Sequence, residues 1–544
     1  MKLLEHNSDQ KLRGAYYTPE KLADIITLWA FGNGEIRNVL EPSCGDGAFL
    51  ESLLPYSNLF EKCTAIEIES DEAKKAKEKV LKNNKFNVIN SDFFNQYLWQ
   101  LKTEKFDLVI GNPPYIRYQY LSAEQRQIQS DILVKNGMKS NKLINAWVSF
   151  VVASVELLSE NGKVGLVIPA ELLQVAYAED LRLFLENSLS KITVITFEEL
   201  VFPDVQQEVV ILLGEKGVSP DNKSKISIIE VTDLESLNEE IISIPVEYKE
   251  VDHSKDKWTK YFLSNDEISV INYVINDKRF NRFSDVADVD IGITTGNNKY
   301  FSVSKEVVEN YDLQEVCLPL IGRSAHAHGL YFNREDWQEN VNNGLLAQLV
   351  YFPNEQKESF PQKHQDYINW GEAEEHNKGY KLGLRKNWFH IPSVYAPDAF
   401  FLRRNDTFPK FVLNDISAVS TDTMHRIRFI EGIDRKKALL SYYNSITFAF
   451  TEIEGRSYGG GVLEVLPGEV EKIMLPNLQQ LDNRTVEYLL TLIDNTIRNG
   501  DDIEQLLDII DREVLVAHLG VREEIIRTFR VIWKKMMTRR RQRK

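Results

Sequence analysis

Asn112-Pro113-Pro114-Tyr115 follows directly on the apolar run Asp107 to Gly111. The tetrapeptide brings an amide, two prolines and an aromatic ring to the end of an expected strand. An exocyclic amine on a conjugated system is a poor nucleophile, because its lone pair is delocalised. Two acceptors aimed at its hydrogens would draw the nitrogen toward sp3 and expose that pair. Asn112 offers a side-chain carbonyl, and Pro113 a backbone carbonyl whose direction Pro114 helps to fix. No strong base is needed first, since the ammonium formed on transfer is itself acidic. Tyr115 adds a flat ring on which a planar substrate can stack. On these four residues alone, a glutamine amide and an adenine amine are equally good substrates.

A second group of residues suits a nucleoside ligand. "VLEPSCGDGAFL" is an apolar strand, a carboxylate, a Gly-rich loop and a helix start at Ala48. Glycines let backbone approach a ligand closely, and the helix N-terminus favours negative charge. The next strand, "CTAIEIES", ends at Glu67, placed for the hydroxyls of a ribose. The third leads into "NSDFF", where Asp92 could accept from an adenine amino group and Phe93 pack on the ring. The loop lacks the third glycine of G-x-G-x-x-G and carries Asp46 where a pyrophosphate would be repelled, so S-adenosyl-L-methionine is expected over NAD.

These residues need a sheet to hold them. From Arg37 to about Gly214, short β-branched runs alternate with helix-length segments, the pattern of βαβ units around a mostly parallel sheet. "SDEAKKAKEKVLKNN" reads as a helix capped by Ser70 or Asp71, and "NAWVSFVVASVELLSENG" as a buried helix stopped at Asn161-Gly162. After "EKGVSPDNKSK" strands become shorter and less regular, and Asp482 to Met537 shows helical periodicity. Three domains are expected: 1–218 catalytic, 219–480 for target recognition, and 481–544 a helical segment with a basic tail. That tail, "KKMMTRRRQRK", carries seven positive charges and no acid, and is either a solvated end or a phosphate contact.

Composition narrows the class. With 544 residues and 43% hydrophobic content the chain is long enough for more than one core. It has no apolar run of membrane-helix or signal-peptide length, so a cytoplasmic location and no membrane partner are expected. Cys44, Cys63 and Cys317 fit neither a disulfide framework nor a zinc site. No metal is expected at His326 and His328, which lack a supporting carboxylate or Cys cluster. The net charge of −16 speaks against affinity for polyanions over the whole surface, though it can hide local basic patches.

"NPPY" after an Asp-initiated strand, preceded by "RGAYYTP", "EPSCGDGAF", "IEIE" and "SDFF", resembles the adenine-N6 DNA methyltransferases of type II restriction-modification systems, in particular the gamma-class, TaqI-like enzymes. The resemblance covers roughly residues 11 to 215, with a looser likeness in "CLPLIGRS" and "IEGRSYGGGVLEVLPGEVEKIMLP". It implies a class I, Rossmann-like methyltransferase sheet followed by a mixed α/β DNA-recognition domain with a helical end. It also implies catalysis by Asn112, Pro113, Pro114 and Tyr115, with Phe202 of "VFP" stacking on the far face of a flipped-out adenine. Tyr17 and Thr18 would flank the methionine end of the cofactor, and Glu41 its amino group. Pro42, Gly45, Gly47, Ile68, Asn112 and Pro114 would complete the lining with Glu67, Asp92 and Phe93.

For sequence reading, Arg117, Thr295, Asn297, Lys299, Arg323, Arg456 and Tyr458 are the candidate contacts, with DNA confined to one basic cleft. The expected partners are double-stranded DNA and a cognate restriction endonuclease on a separate chain, with the methyltransferase a monomer. A glutamine-N5 protein methyltransferase would resemble half this length, with its helical domain in front. Methylation of a structured RNA, and a DNA-binding module that keeps a methylase fold, are the remaining alternatives.

Overall fold

The computed structural model describes residues 17–32, 34–202, 208–217, 223–243, 247–253, 256–406, 408–458 and 460–542. Two compact units divide at Asn265 and Asp266. In the first, a nine-stranded sheet has the order β3-β2-β1-β4-β5-β7-β6-β8-β9. Its strands are β1 (Asn38–Glu41), β2 (Lys62–Glu67), β3 (Phe86–Asn90), β4 (Phe106–Gly111), β5 (Leu158–Pro169), β6 (Lys191–Phe197), β7 (Val209–Glu215), β8 (Lys225–Val231) and β9 (Lys249–Glu250). β1 to β5 pair in parallel, whereas β7 lies antiparallel between β5 and β6. This is the expected methyltransferase sheet. Its central strands are buried on both faces, which is why they read as continuous apolar runs rather than alternating ones.

The helices that position the site are α1 (Glu20–Phe31), α2 (Ala48–Leu53), α3 (Ser70–Val80), α4 (Phe93–Trp99), α5 (Ala123–Lys135), α6 (Ala146–Glu156) and α7 (Glu179–Ser188). α3 starts without a side-chain cap, its N-cap position being Glu69 rather than Ser70 or Asp71. α6 stops at Glu156, five residues before the expected Asn161, because Leu158 already pairs with Phe106 across a bulge. Gly162 sits where any Cβ would come within 2.9 Å of the Phe106 carbonyl oxygen, so it allows strand contact rather than ending a helix. The expected domain edge at 218 also shifts. β8 follows that turn yet pairs in parallel with β6 along its whole length, which keeps it in the nine-stranded sheet of the first unit.

The second unit holds a five-stranded sheet ordered Ala287–Ile291, Met424–Phe429, Ala399–Leu402, Phe411–Asn414, Tyr331–Phe332, and smaller sheets beside it. The expected helical end is present as Asn483–Asn499, Ile503–Ile510 and α9 (Glu523–Gln542). It is not a separate layer. α9 packs on α8 (Ser445–Glu454) through Phe448 against Trp533 and Phe450 against Phe529, with ring centroids 5.5 Å apart in each pair.

The basic tail is largely part of this packing. Arg540 is 2% exposed and pairs with Glu452 at 2.7 Å, while donating to the backbone carbonyls of Gly461 and Asp406. Lys534 pairs with Glu504, Lys535 with Glu267 and Arg541 with Asp406. Four of its seven cations therefore face protein carboxylates, and Arg543 and Lys544 lie outside the described residues.

Candidate active site

β1 ends at Glu41, and the loop Pro42 to Gly47 turns the chain into α2. Gly45 and Gly47 have φ of +51° and +92°, in the left-handed region that side chains disfavour. A Cβ on Gly47 would also stand 3.1 Å from the Ala76 Cα, so α2 and α3 close on each other only around a glycine. At the end of β2, one oxygen of Glu67 accepts from the Gly45 N–H and the other from the Glu69 N–H, both at 2.8 Å. The carboxylate thereby ties the glycine loop to the second strand. Asp92 caps α4 by accepting from the Asn95 N–H at 3.0 Å, and Phe93 stacks on Phe150 of α6 with centroids 5.0 Å apart. Asp46, read as repelling a pyrophosphate, is partly offset by Lys79 at 3.2 Å.

A cavity of about 420 Å³ opens between these strand ends, within the range of small-molecule sites. All the expected cofactor residues line it except Gly47, which acts from behind through the loop: Tyr17, Thr18, Glu41, Pro42, Gly45, Glu67, Ile68, Asp92, Phe93, Asn112 and Pro114. Tyr17 is half exposed and donates to Glu72 at 3.1 Å. Glu41 is 1% exposed, and one of its oxygens has no hydrogen-bond partner among the described residues. Burial, then the charges of Glu67 and Asp46, hold its carboxyl well above the usual carboxylate range. A buried carboxyl oxygen left unsatisfied costs free energy until a donor arrives. The cationic amino group of S-adenosylmethionine is such a donor, and the residues present fit that cofactor. The Cys44 and Cys63 thiols are buried and pushed up, mainly by that burial, so neither is a thiolate.

Asn112 stands where β4 leaves the sheet. Its amide Nδ2 donates to Thr18 Oγ1 at 3.2 Å, and its Oδ1 accepts from the Tyr115 hydroxyl at 2.9 Å. The same hydroxyl lies 3.1 Å from the Val167 carbonyl oxygen on β5. Ser43 donates to the Asn112 backbone carbonyl at 3.3 Å, and the Ala146 N–H to the Ile116 carbonyl at 3.0 Å. The Asn112 to Ile116 turn is thus held from the glycine loop on one side and from the start of α6 on the other. Pro113 is buried, while Pro114 and Tyr115 are half-buried. Tyr115 packs against the apolar cluster that contains Phe202, itself 8% exposed; the Pro203-Asp204 turn beside it lies outside the described residues.

Several lining residues escaped the sequence reading, among them Gln129 and Phe150. Gln129 on α5 is 2% exposed with its side-chain oxygen unpartnered among the described residues, and Phe150 completes the aromatic wall. Gln129 precedes Ile132 and Leu133 by three and four positions, so helical spacing already put it on the inner face. Trp147, by contrast, is fully buried with its ring edge-on to Tyr177 and does not line the cavity.

The candidate DNA contacts do not form one group. Thr295 is 2% exposed and bonds Asn298 at 2.5 Å, and Asn297 caps the short helix Asn298–Phe301 while its Nδ2 donates to the His376 carbonyl at 3.1 Å. Both shape a turn. Arg456 pairs with Glu469 at 2.6 Å with both side chains largely buried, which places it in the framework. Arg117, Lys299 and Arg323 are exposed, and the Tyr458 side chain lies outside the described part of the chain.

Two family models match the sequence: the Eco57I restriction-modification methylase over residues 48–202, and the C-terminal domain of type II methyltransferase M.Eco57I over residues 255–515. The type II methyltransferase M.AccI of Acinetobacter calcoaceticus is 27% identical over 532 residues, covering 93% of each chain. M.HindII of Haemophilus influenzae is 28% identical over 63% of this chain and 65% of its own. Among solved structures, a nuclease-deletion mutant of the Type ISP restriction-modification enzyme LlaGI, in complex with a DNA substrate mimic, superposes with a TM-score of 0.52 at 12% identity. It covers 89% of this chain and 55% of that one, a likeness of fold.

Proposed function

We propose that this chain, which belongs to the type II restriction-modification methyltransferases, methylates N6 of an adenine extruded from duplex DNA at one short sequence. Its cofactor is S-adenosyl-L-methionine. The observation that carries the narrower reading is the Asn112 amide at the cavity wall, fixed between Thr18 and Tyr115. With Thr18 accepting from Nδ2, Oδ1 is the atom turned toward an incoming amine. The Tyr115 hydroxyl has one proton and, among the described residues, two acceptors within reach, Asn112 Oδ1 and the Val167 carbonyl. Handing that proton to Val167 leaves Oδ1 to accept one amino hydrogen, and the Pro113 carbonyl takes the other.

The amine nitrogen then carries its lone pair toward the cavity. Bound S-adenosylmethionine would supply a methyl group made electrophilic by its sulfonium. After transfer the nitrogen loses a proton, so no residue has to act as a strong base beforehand. The Tyr115 ring gives the extruded base a stacking face, and Phe202 supports it from the adjoining apolar cluster. Glu41 would hold the amino group of the cofactor, Glu67 the ribose, and Asp92 with Phe93 the adenine ring.

Duplex DNA is favoured over a glutamine side chain by the restriction-modification kinship and by a second unit of 279 residues following the catalytic one. Such a mark would shield the cell's own DNA from a companion endonuclease. Plasmid DNA incubated with the protein and S-adenosylmethionine, then digested to nucleosides and weighed by mass spectrometry, should contain N6-methyldeoxyadenosine. N4-methyldeoxycytidine in its place would overturn the assignment.

A further inference from the structure

Between Lys378 and Trp388 the chain reads KGYKLGLRKNW, four cations and no acid in a protein of net charge −16. Two large apolar side chains there face solvent: Tyr380 is 85% exposed and Leu384 72%. Single exposed apolar residues are ordinary, but these two are spaced four apart, Tyr380 opening the helix Tyr380–Gly383 and Leu384 following it as the C-cap with helical backbone angles, so they share one face. Leu382, on the opposite face, is 1% exposed.

The turn is anchored rather than loose. Gly296, at φ +85°, lies against Leu382, where a Cβ would stand 3.1 Å away. The Arg385 guanidinium donates to the Thr294 carbonyl at 3.1 Å and sits 5.8 Å from the Phe301 ring centre. On the other side, Asn297 donates to the His376 carbonyl at 3.1 Å. Both ends of the segment are therefore tied to the same Thr294 to Asn297 turn, and an apolar pair is held outward between them. The acids just upstream are mostly engaged: Glu372 with Lys357 and Trp388 Nε1, Glu375 with Lys378. Lys381 and Lys386 are exposed.

We propose that Tyr380 and Leu384 form an apolar wedge that enters duplex DNA, with Lys381 and Lys386 on the flanking phosphates. The proposal rests on DNA being the substrate and adds to it a point of contact. Duplex DNA offers both phosphates for the cations and stacked base faces for an inserted ring, and apolar wedges between base steps are a known way of opening a duplex. A second copy of this chain is disfavoured, because a symmetric contact here would set Lys381 and Lys386 against their own counterparts.

The test uses the full-length protein and a 30-base-pair duplex of mixed sequence, with binding measured at several salt concentrations. Tyr380→Ser/Leu384→Ser should weaken binding about tenfold, as the removal of one stacked ring does. Its salt slope should match wild type. Lys381→Gln/Lys386→Gln should make the slope shallower by about two, one unit for each phosphate no longer neutralised. Circular dichroism and cofactor binding verify that both variants are folded. Wild-type affinity and slope in both variants would overturn the wedge while leaving DNA as the substrate. A wild-type protein that fails to bind any duplex would instead sink the DNA reading itself. A Tyr380→Ser/Leu384→Ser protein that binds DNA normally but sediments as a smaller species would assign the face to self-association and also overturn the proposal.

Discussion

Among the described residues, the Asn112 side chain meets two hydroxyls that come from opposite directions in the sequence, Thr18 from 94 residues upstream and Tyr115 from within its own turn. Replacing Asn112 with Ala should lower turnover by roughly 10²-fold or more, the usual effect of removing one oriented partner of the reacting group. Equilibrium dialysis and DNA binding should show both ligands retained. Glu41 makes a second prediction. Its carboxyl is held high by burial and by Glu67 and Asp46, so the empty site favours the protonated form. An ammonium favours the ionised form, so binding expels the proton. Affinity for S-adenosylmethionine should therefore rise with pH from the ordinary carboxylate range up to the raised value and level off above it, with proton release seen by calorimetry in buffers of different ionisation heat. In Glu41→Gln both the slope and the proton release should vanish; if they persist, another group carries the titration. The motif residues themselves were legible because they are contiguous and chemically unusual. Their partners were not: a hydrogen bond between Thr18 and Asn112 leaves no local trace, and Gln129 looks like any helix glutamine until its burial is known.

At the scale of elements, the glycine loop and the last helix carry the sharpest expectations. Gly47→Ala must place a side chain at φ +92° and against Ala76, at a cost of about 1–3 kcal/mol for the backbone strain. Chemical denaturation should show that loss, together with weaker cofactor binding. Arg540→Ala leaves Glu452 buried without its cation and should cost about 3–5 kcal/mol. A denaturation midpoint equal to wild type would mean the pair is not buried as described. The strands and helices of the first unit could be read from the sequence because their apolar periods are strong. β8 could not be assigned to that sheet, since a turn-rich connector precedes it and nothing local says which strand it joins. The tail was ambiguous for a related reason: a run of cations looks alike whether it meets phosphates or Glu452, Glu504, Glu267 and Asp406, and only the fold brings those acids to it.

For the whole molecule, the first unit with its cofactor-sized cavity, the separate second unit and the kinship with type II methyltransferases agree on a DNA modification enzyme, and the proposed chemistry of Asn112 to Tyr115 suits a planar amine, which that kinship favours as one on a base. The class of enzyme was readable from ordered motifs along residues 13 to 115, whereas the recognition unit was not. Thr295, Asn297 and Arg456 looked like base readers by residue type, yet the fold spends them on a turn and on a buried ion pair. Base type, atom and sequence context are all reported at once by single-molecule sequencing of genomic DNA from cells expressing the wild-type chain or Asn112→Ala. N6-methyladenine is expected at nearly every copy of one short sequence in the first and at none in the second. Methylation on cytosine, or an N6-methyladenine pattern unchanged by Asn112→Ala, would contradict both the target and the role of Asn112.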